Sequence, residues 1–361
     1  MSVSALMALL GRASDEFVLP GVLQPMDVFV ELAGEEFRKR LFTTEGADGE
    51  ALCLRPDFTI PVCLEHLKAG RKSPSAYNYR GKIFRKRRMI GAPEFEQAGT
   101  EWIGHTDEIE TDAAVFALAM DAAGIVGLKP KIRMGDAYLF GALVDALALP
   151  PAWRTRLTAA FGDRDRLTAT LARLTRRDVP DGLAARLAPA LARVDPTEAR
   201  AIVDAVIGLP QHATTSGRSA DDIAARLLEQ AAGNGGHPQA ARIIEEFCEI
   251  AVPLVDAVAT LRAFAQNAGV DLSAAIDVFA ARADALTKGG VSLEDIGFEA
   301  GFGRRLNYYT GFVFDMIDPA EPLAEVIAGG RYDTLMALLD PEKSLPAIGF
   351  SVWLDRIPEP I

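Results

Sequence analysis

Residues 298–335 read FEAGFGRRLNYYTGFVFDMIDPAEPLAEVIAGGRYDTL, and this stretch decides the fold. It contains two runs of strand-like composition, rich in aromatic and β-branched residues, and each run also carries arginine or tyrosine together with glycine. Arg304 can bind a carboxylate through two parallel hydrogen bonds. Tyr308, Tyr309 and Tyr332 each offer a ring and a hydroxyl. The composition predicts two strands that form the floor of a small-ligand pocket, although a solvated sheet face would show the same pattern.

The motif RRLNYYTG at 304–311, followed by AGGRYD at 328–333, resembles the paired signature of the histidyl-tRNA synthetase family in both order and spacing. In that family the two strands hold histidine. The resemblance implies an α+β fold of the class II aminoacyl-tRNA synthetase type, in which an antiparallel sheet is flanked by helices.

A second motif lies at 54–59, where the sequence reads LRPDFT. It resembles the LRPEGT element of the same family, whose acidic residue and threonine take the amino group of histidine. The resemblance therefore assigns this role to Asp57 and Thr59. Asp57 is one methylene shorter than the usual glutamate, and a water molecule can bridge the difference. The same two residues can also cap the helix predicted through 62–67, and the two roles are compatible.

Residues 76–84 and 95–103 alternate like two strands joined by a basic turn. This hairpin resembles the second motif of class II synthetases. The resemblance places Arg85 where an arginine holds the α-phosphate of ATP, Gln97 against the histidine carboxylate or amino group, and Glu101 against the imidazole. Strand alternation puts Gln97 and Glu101 on one face of the sheet.

Glu101 is the most informative of these residues, because a carboxylate buried on a central strand is costly unless it is paired. A cationic ligand would make Glu101 part of a binding site, whereas an ion pair with Arg304 would make it structural. The sequence leaves both interpretations open. The full set of residues that the resemblance assigns to histidine is Asp57, Thr59, Arg85, Gln97, Glu101, Arg304, Tyr308, Tyr309 and Tyr332.

Three features depart from a synthetase. The turn at 86–95 reads KRRMIGAPEF, and its apolar residues cannot make charge-assisted contacts to a triphosphate. Trp353 stands where synthetases keep a small residue so that adenine can stack beneath the arginine corresponding to Arg356, and an indole would occupy that site. Synthetases also continue into an anticodon-binding domain, which we do not expect in this sequence.

Retention of the histidine motifs without the ATP and anticodon elements resembles the regulatory subunits of ATP phosphoribosyltransferase. These synthetase-like proteins are needed by short-form catalytic subunits for activity and for feedback inhibition by histidine. The resemblance covers residues 20–135 and 290–361. It implies a chain of histidine biosynthesis with no catalytic residue, metal or cofactor, which forms a hetero-octamer with the catalytic subunit and a homodimer through the strand at 22–25.

Two alternatives remain open at this stage. The chain could be a ligase that activates an amino acid without tRNA, which requires an open adenine site. It could also be an assembly scaffold whose pocket is a relict. Asn307 and Arg305 replace an aspartate and a glycine of the family, and the extra guanidinium leaves open whether the pocket still takes histidine.

Composition adds limits on partners and location. The 361 residues carry a formal net charge of −12, which argues against nucleic acid because such binders show a basic face; the basic run at 80–88 is a local exception. Cys53, Cys63 and Cys248 lie in apolar contexts that predict buried thiols. No apolar run is long enough to cross a membrane and no basic region precedes the first apolar run, so we expect a cytoplasmic protein.

The pattern along the chain predicts a core interrupted by one insertion. Residues 1–138 form the first part of the synthetase-like core, and residues 286–361 form the second part. Residues 139–285 are rich in alanine, leucine and arginine with helical periodicity, which predicts an inserted helical domain.

Overall fold

The computed structural model describes residues 3–33, 35–71, 74–86, 92–176, 236–304, 308–322 and 325–357. The chain divides into two compact units. The sheet unit consists of residues 1–143, 161–163 and 247–361, and the helical unit consists of residues 144–160 and 164–246. In the described part of the chain, no helix is both long and apolar enough to cross a bilayer.

The described strands are β1 (Glu16–Phe17), β2 (Leu23–Pro25), β3 (Thr43–Glu45), β4 (Ala51–Leu54), β5 (Ser75–Phe84), β6 (Glu94–Ile103), β7 (Lys131–Asp136), β8 (Ala251–Pro253), β9 (Ile296–Glu299), β10 (Phe312–Ile317), β11 (Glu325–Arg331) and β12 (Ala347–Trp353). Nine of them form one sheet in the order β1-β5-β6-β12-β11-β10-β7-β9-β8, and a small sheet has the order β2-β4-β3. Only β1 with β5 and β7 with β9 pair in parallel among these strands. The predicted antiparallel sheet is confirmed.

The middle of the large sheet is buried on both faces. Along β10, which reads FVFDMI, five successive residues are buried, and along β11 the six residues after Glu325 are buried. A strand covered on both sides needs apolar residues at successive positions, which explains why β10 is apolar except for Asp315. Polar residues within these strands are therefore exceptions that need partners.

The described α-helices are α1 (Val3–Arg12), α2 (Met26–Ala33), α3 (Glu35–Arg38), α4 (Thr59–Lys68), α5 (Glu108–Ile125), α6 (Ala137–Ala146), α7 (Pro151–Ala160), α8 (Arg164–Leu174), α9 (Pro238–Cys248), α10 (Leu254–Ala268), α11 (Ser273–Lys288) and α12 (Thr334–Leu339), and a 3₁₀ turn covers Leu354–Arg356. The Asp107 side chain begins α5 by accepting a hydrogen bond from the Glu110 amide at 3.2 Å. Helix α5 then runs without interruption to Ile125.

A buried ion network joins α5 and α11 to the sheet. Arg282 donates to Asp112 at 2.7 Å and to Asp136 at 2.6 Å. Arg331 pairs with the other oxygen of Asp112 at 2.7 Å and with Asp333 at 2.8 Å. Because loss of one partner would leave a buried charge unpaired, the network holds these helices firmly on the sheet.

The network explains where the observed division differs from the predicted insertion at 139–285. Helices α10 and α11 belong to the sheet unit, because Arg282 of α11 is ion-paired to α5 and β7. The Phe279 ring of α11 also packs at 4.9 Å from that of Phe298 in β9. The helical periodicity of the α10 and α11 sequences could not reveal which sheet or helix these two helices cover.

The motif at 304–311 does not lie in a strand where the structure describes it. Arg304, Tyr308 and Tyr309 precede β10, which begins only at Phe312. The prediction of a strand over this run is therefore wrong for these residues, since its composition reflects a buried loop beside the sheet. Arg305 and Asn307 lie outside the described residues.

Candidate functional site

Glu101 of β6 is the centre of a buried polar cluster. Its carboxylate accepts hydrogen bonds from the Thr59 hydroxyl at 2.7 Å and the Tyr79 hydroxyl at 3.3 Å. A third bond comes from the Tyr332 hydroxyl. Gly349 of β12 lies opposite in register, and a Cβ there would overlap the carboxylate. A glycine at this position is therefore required for Glu101 to lie flat on the sheet.

Strand pairing explains why these groups meet on one face. Tyr79 of β5 and Ser351 of β12 both lie opposite Gly99 of β6, two residues from Glu101. Side chains two residues apart point to the same face, so Tyr79, Ser351 and Glu101 share it. The Tyr79 hydroxyl also lies 2.8 Å from the Ser351 hydroxyl.

The chemistry of Glu101 follows from its surroundings. Burial raises the pKa of its carboxyl group from 4.5 to about 7, although the hydrogen bonds from Tyr332 and Thr59 favour the ionised form. Desolvation therefore outweighs three donors. A group with this pKa exchanges its proton near neutral pH, and a cationic neighbour would favour its ionised form.

Three buried polar atoms of the predicted site residues have no hydrogen-bond partner: the Oδ2 atom of Asp57, the Oε1 atom of Gln97 and the Nε atom of Arg304. The other oxygen of Asp57 accepts from the Ile60 amide at 3.3 Å, as expected for a residue that begins helix α4. Buried polar atoms are normally paired, so these two acceptors and one donor are available to a polar ligand.

Arg85 extends the same pocket from the end of β5. Its Nε atom donates to the Pro56 carbonyl at 2.5 Å. Burial lowers the pKa of Arg85, while Asp57 and Tyr308 act in the opposite direction. Burial likewise raises the pKa of Asp57, against the influence of Arg85. The guanidinium and the carboxylate are therefore close enough to affect each other without forming an ion pair.

Three tyrosine rings form one wall. The ring centroids of Tyr308 and Tyr309 lie 4.8 Å apart, and that of Tyr332 lies 5.8 Å from Tyr308 and 6.3 Å from Tyr309. The Arg304 guanidinium lies 5.6 Å from the Tyr309 centroid. Burial opposes the charge of Arg304, but Tyr309 and Glu325 raise its pKa. Arg304 therefore stays cationic beside the wall.

One end of the pocket is filled by Trp353, whose side chain is only 3% exposed. The Arg356 guanidinium lies 5.2 Å from the indole centroid, and it also donates to the Glu325 carbonyl at 2.6 Å. The indole thus lies beneath the Arg356 guanidinium. The family resemblance places the adenine ring of ATP beneath the corresponding arginine of a synthetase. That Trp353 occupies the adenine position of a synthetase stays a prediction.

The structure separates the two interpretations of Glu101. Among the described residues no ion pair joins Glu101 to Arg304, because hydroxyl groups surround the carboxylate, so the structural alternative is wrong in that form. Hydrogen bonds, ring contacts and charge interactions link the predicted residues other than Gln97 to one another, and Gln97 lies four residues from Glu101 on the same face of β6. That these residues form a histidine site stays a prediction. Residues that the sequence did not reveal at this pocket are Tyr79, Ser351 and Glu325.

Comparison with known proteins agrees with this geometry. A family model described as histidyl-tRNA synthetase matches residues 2–202 and 217–357. A protein of Brucella anthropi named ATP phosphoribosyltransferase regulatory subunit is 38% identical over 359 residues, covering 98% of this chain and 95% of that protein. A protein of Agrobacterium fabrum with the same name is 40% identical over 343 residues, covering 93% and 90%.

Solved structures share the fold. A Bacillus halodurans protein described as an ATP phosphoribosyltransferase regulatory subunit/histidyl-tRNA synthetase matches with a TM-score of 0.63 at 18% identity, covering 98% of this chain and 76% of that one. A histidine–tRNA ligase subunit from Alicyclobacillus acidocaldarius matches with a TM-score of 0.59 at 22% identity, covering 98% and 89%. The predicted class II synthetase-like core is confirmed.

Proposed function

Because the chain belongs to the histidyl-tRNA synthetase family, and within it to the ATP phosphoribosyltransferase regulatory subunits, we propose that it is the non-catalytic regulatory subunit of that enzyme in histidine biosynthesis. It binds histidine in the pocket around Glu101. The bound histidine inhibits a catalytic subunit that needs this chain for activity. The chain itself carries out no aminoacylation and needs no cofactor.

The observation that carries the proposal is the set of unpaired buried atoms on Asp57, Gln97 and Arg304. Asp57 Oδ2 and Gln97 Oε1 are acceptors that suit an ammonium group, and Arg304 Nε is a donor that suits a carboxylate. The Gln97 amide can accept from the amino group of histidine or donate to its carboxylate. The imidazole then lies at Glu101, where a donated N–H stabilises the ionised carboxylate.

The position of Trp353 favours a regulatory role for the chain over the alternative that it is an amino-acid ligase. An amino-acid-activating enzyme must hold ATP next to the amino acid, and the indole of Trp353 lies under Arg356 in that place. ATP-dependent pyrophosphate exchange with histidine tests the alternative directly. We expect no exchange, and a rate above background would favour the ligase.

The catalytic subunit of ATP phosphoribosyltransferase is the proposed partner, in a cytoplasmic hetero-octamer that contains homodimers of this chain. Support for the homodimer comes from residues 17–23, which run from the end of β1 to the start of β2. Their apolar side chains are unusually exposed, with Leu19 at 59%, Leu23 at 54% and Phe17 at 52%. Adjacent exposed apolar residues at a sheet edge are typical of association surfaces.

The regulation we propose is allosteric and must be reciprocal. Histidine favours the inactive state of the complex only if it binds that state more tightly, so substrates of the catalytic subunit must weaken histidine binding by the same factor. Equal histidine affinities for the substrate-loaded and free complexes would contradict this mechanism.

Calorimetric titration with L-histidine, of this chain alone and with the catalytic subunit, tests the function. Glu101→Ala removes one charge-assisted hydrogen bond and should weaken binding roughly 10- to 150-fold. Glu96→Ala on the same strand is the matched control, because its side chain is 38% exposed and pairs with Arg80. If the unmodified protein does not bind histidine, the proposed histidine site is rejected, and the alternative of an assembly scaffold with a relict pocket is favoured.

A further inference from the structure

Glu325 is a carboxylate beside the pocket that the proposed binding of histidine leaves without a role. It is the first residue of β11, and its side chain is 35% exposed. Arg356 holds it at two points. One guanidinium nitrogen of Arg356 donates to the Glu325 carbonyl at 2.6 Å, and the same nitrogen lies 3.5 Å from a carboxylate oxygen of Glu325.

An irregularity in the sheet turns Glu325 towards the pocket. The pairing of β10 with β11 shifts just before Ile317, which therefore lies opposite Glu325. Two residues earlier, Asp315 lies opposite Ala328. Residues opposite each other in an antiparallel pair share a face, and so do residues two apart in one strand. Glu325 therefore shares a face with Ala328, which packs in the same buried cluster as Tyr332, and the bulge is what directs the carboxylate there.

Two cations of the pocket, Arg304 and Arg85, form no ion pair with any carboxylate in the described part of the chain. Arg304 lies over the Tyr309 ring, and its Nε atom has no hydrogen-bond partner. Arg85 donates to the Pro56 carbonyl. Burial lowers the pKa of Arg85, and the charge of Arg304 lowers it further, so the two guanidinium groups repel each other. Two buried cations in this relation need a negative charge nearby.

Glu325 provides this negative charge. Burial raises the pKa of its carboxyl group, but Arg304, Arg356 and Arg85 together hold that pKa below its usual value. Burial also disfavours the charges of Arg304 and Arg85, and Glu325 acts in the opposite direction on the pKa of each. The carboxylate thus balances the two cations without an ion pair to either, and it leaves the Nε–H group of Arg304 open to a ligand.

We propose that Glu325 sets the charge of the ligand that the pocket accepts. As a built-in anion beside Arg304 and Arg85, it leaves enough positive charge to bind one carboxylate and repels a ligand that carries a phosphate group. Without Glu325, the same two guanidinium groups would form a site for a polyanion. This inference rests on the proposed function, since it takes histidine as the ligand, and it adds a residue that excludes phosphorylated compounds by charge.

The test uses the full chain and inorganic pyrophosphate, a polyanion without a group that Glu101 could bind. Calorimetry measures its affinity in about 0.15 M salt, which screens the charges of exposed arginines. Glu325→Gln keeps the shape of the side chain and removes its charge. We expect this variant to bind pyrophosphate at least roughly tenfold more tightly than the unmodified protein does. Because the side chain is partly exposed, the variant should fold, and its thermal unfolding checks this.

Glu299→Gln is the matched control. The Glu299 side chain is 40% exposed and lies 3.4 Å from Arg133, close to the exposure of Glu325 and to its distance from Arg356. After the change, Arg133 keeps Asp315 as a partner at 2.7 Å. The control therefore removes one carboxylate without leaving a cation unbalanced, and its affinity for pyrophosphate should equal that of the unmodified protein.

A double variant, Glu325→Gln with Arg304→Gln, locates the gained site. Removing the guanidinium of Arg304 should return the affinity for pyrophosphate to that of the unmodified protein. A gain that survives this second change would lie elsewhere on the chain and would overturn the inference.

The remaining outcomes separate this inference from the proposed function. Equal pyrophosphate affinities of the unmodified protein and Glu325→Gln overturn it, and so does an equal gain in Glu299→Gln. A Glu325→Gln protein without a cooperative unfolding transition also overturns it, because Glu325 would then be required for the fold. None of these measurements uses histidine, so they leave the proposed function standing. If the unmodified protein binds no histidine, the proposed function fails, and the pyrophosphate comparison still decides the role of Glu325.

Discussion

Glu101 should make the sheet unit less stable as pH rises. Its carboxyl pKa is about 7 in the folded protein against 4.5 for the unperturbed group, so between these values the folded state binds more protons than the unfolded state. The contribution of Glu101 to the unfolding free energy is therefore most favourable below pH 4.5, and it is lost as the pH rises to about 7. At about 1.4 kcal/mol per pKa unit, the shift corresponds to a loss of about 3 kcal/mol above pH 7.

Glu101→Gln removes this ionisation and keeps the shape of the side chain. The difference in unfolding free energy between the variant and the parent should therefore change by about 3 kcal/mol in favour of the variant between pH 4.5 and pH 8. Urea unfolding in a Trp153→Phe background measures it, because fluorescence then reports only Trp102 and Trp353 of the sheet unit. Glu96→Gln controls for the loss of one charge on the same strand.

A difference between parent and Glu101→Gln that stays constant from pH 4.5 to pH 8 would refute the reasoning. It would mean that the three hydroxyl donors compensate fully for the desolvation of the carboxylate. Added histidine should reduce the slope in the parent, because the ligand favours the ionised form of Glu101 that burial disfavours.

Other changes test the rest of the structure. Arg282→Met leaves the buried Asp136 carboxylate without its ion-pair partner and removes one of the two partners of Asp112, and it should cost about 3–5 kcal/mol of unfolding free energy, whereas Arg262→Met, at an exposed pair, should cost less than about 1 kcal/mol. Asp57→Asn should weaken histidine binding roughly 10- to 150-fold in calorimetry, and an unchanged affinity would remove Asp57 from the site. Trp353→Gly should cost about 3–5 kcal/mol of unfolding free energy but admit an adenine ring, and failure of a fluorescent adenosine analogue to bind would contradict the adenine assignment.

The sequence predicted the hairpin of β5 and β6 because both strands alternate and end in a basic turn. Alternation alone placed Gln97 and Glu101 on one face, and the structure agrees. Tyr79 could not be found in this way, because its contact with Glu101 depends on a register set by a long turn. A sequence pattern fixes which residues of one strand share a face, but not which residue of the next strand lies beside them.

Two other misses have similar causes. Glu325 lies at a register shift where β10 and β11 begin to pair, and its charge contacts come from Arg304 and Arg356, which are distant in sequence. The boundary near 285 failed because an amphipathic helix such as α11 shows that it covers something without showing what it covers. Arg282 carried a signal, since an arginine on an otherwise buried helix face requires acidic partners.

The position of β12 between β6 and β11 has a consequence for how the protein is made. Residues 97–103 of β6 can pair with β12 only after residues 347–353 have left the ribosome. At about 5–20 residues per second, that is on the order of ten to fifty seconds after β6 itself has been made. During that interval β6 is an open edge, the kind of strand that recruits other chains into aggregates. Glu101 then lies in water and is charged, and a charge on an open strand opposes edge-to-edge pairing. The carboxylate that the finished pocket buries thus protects the nascent chain.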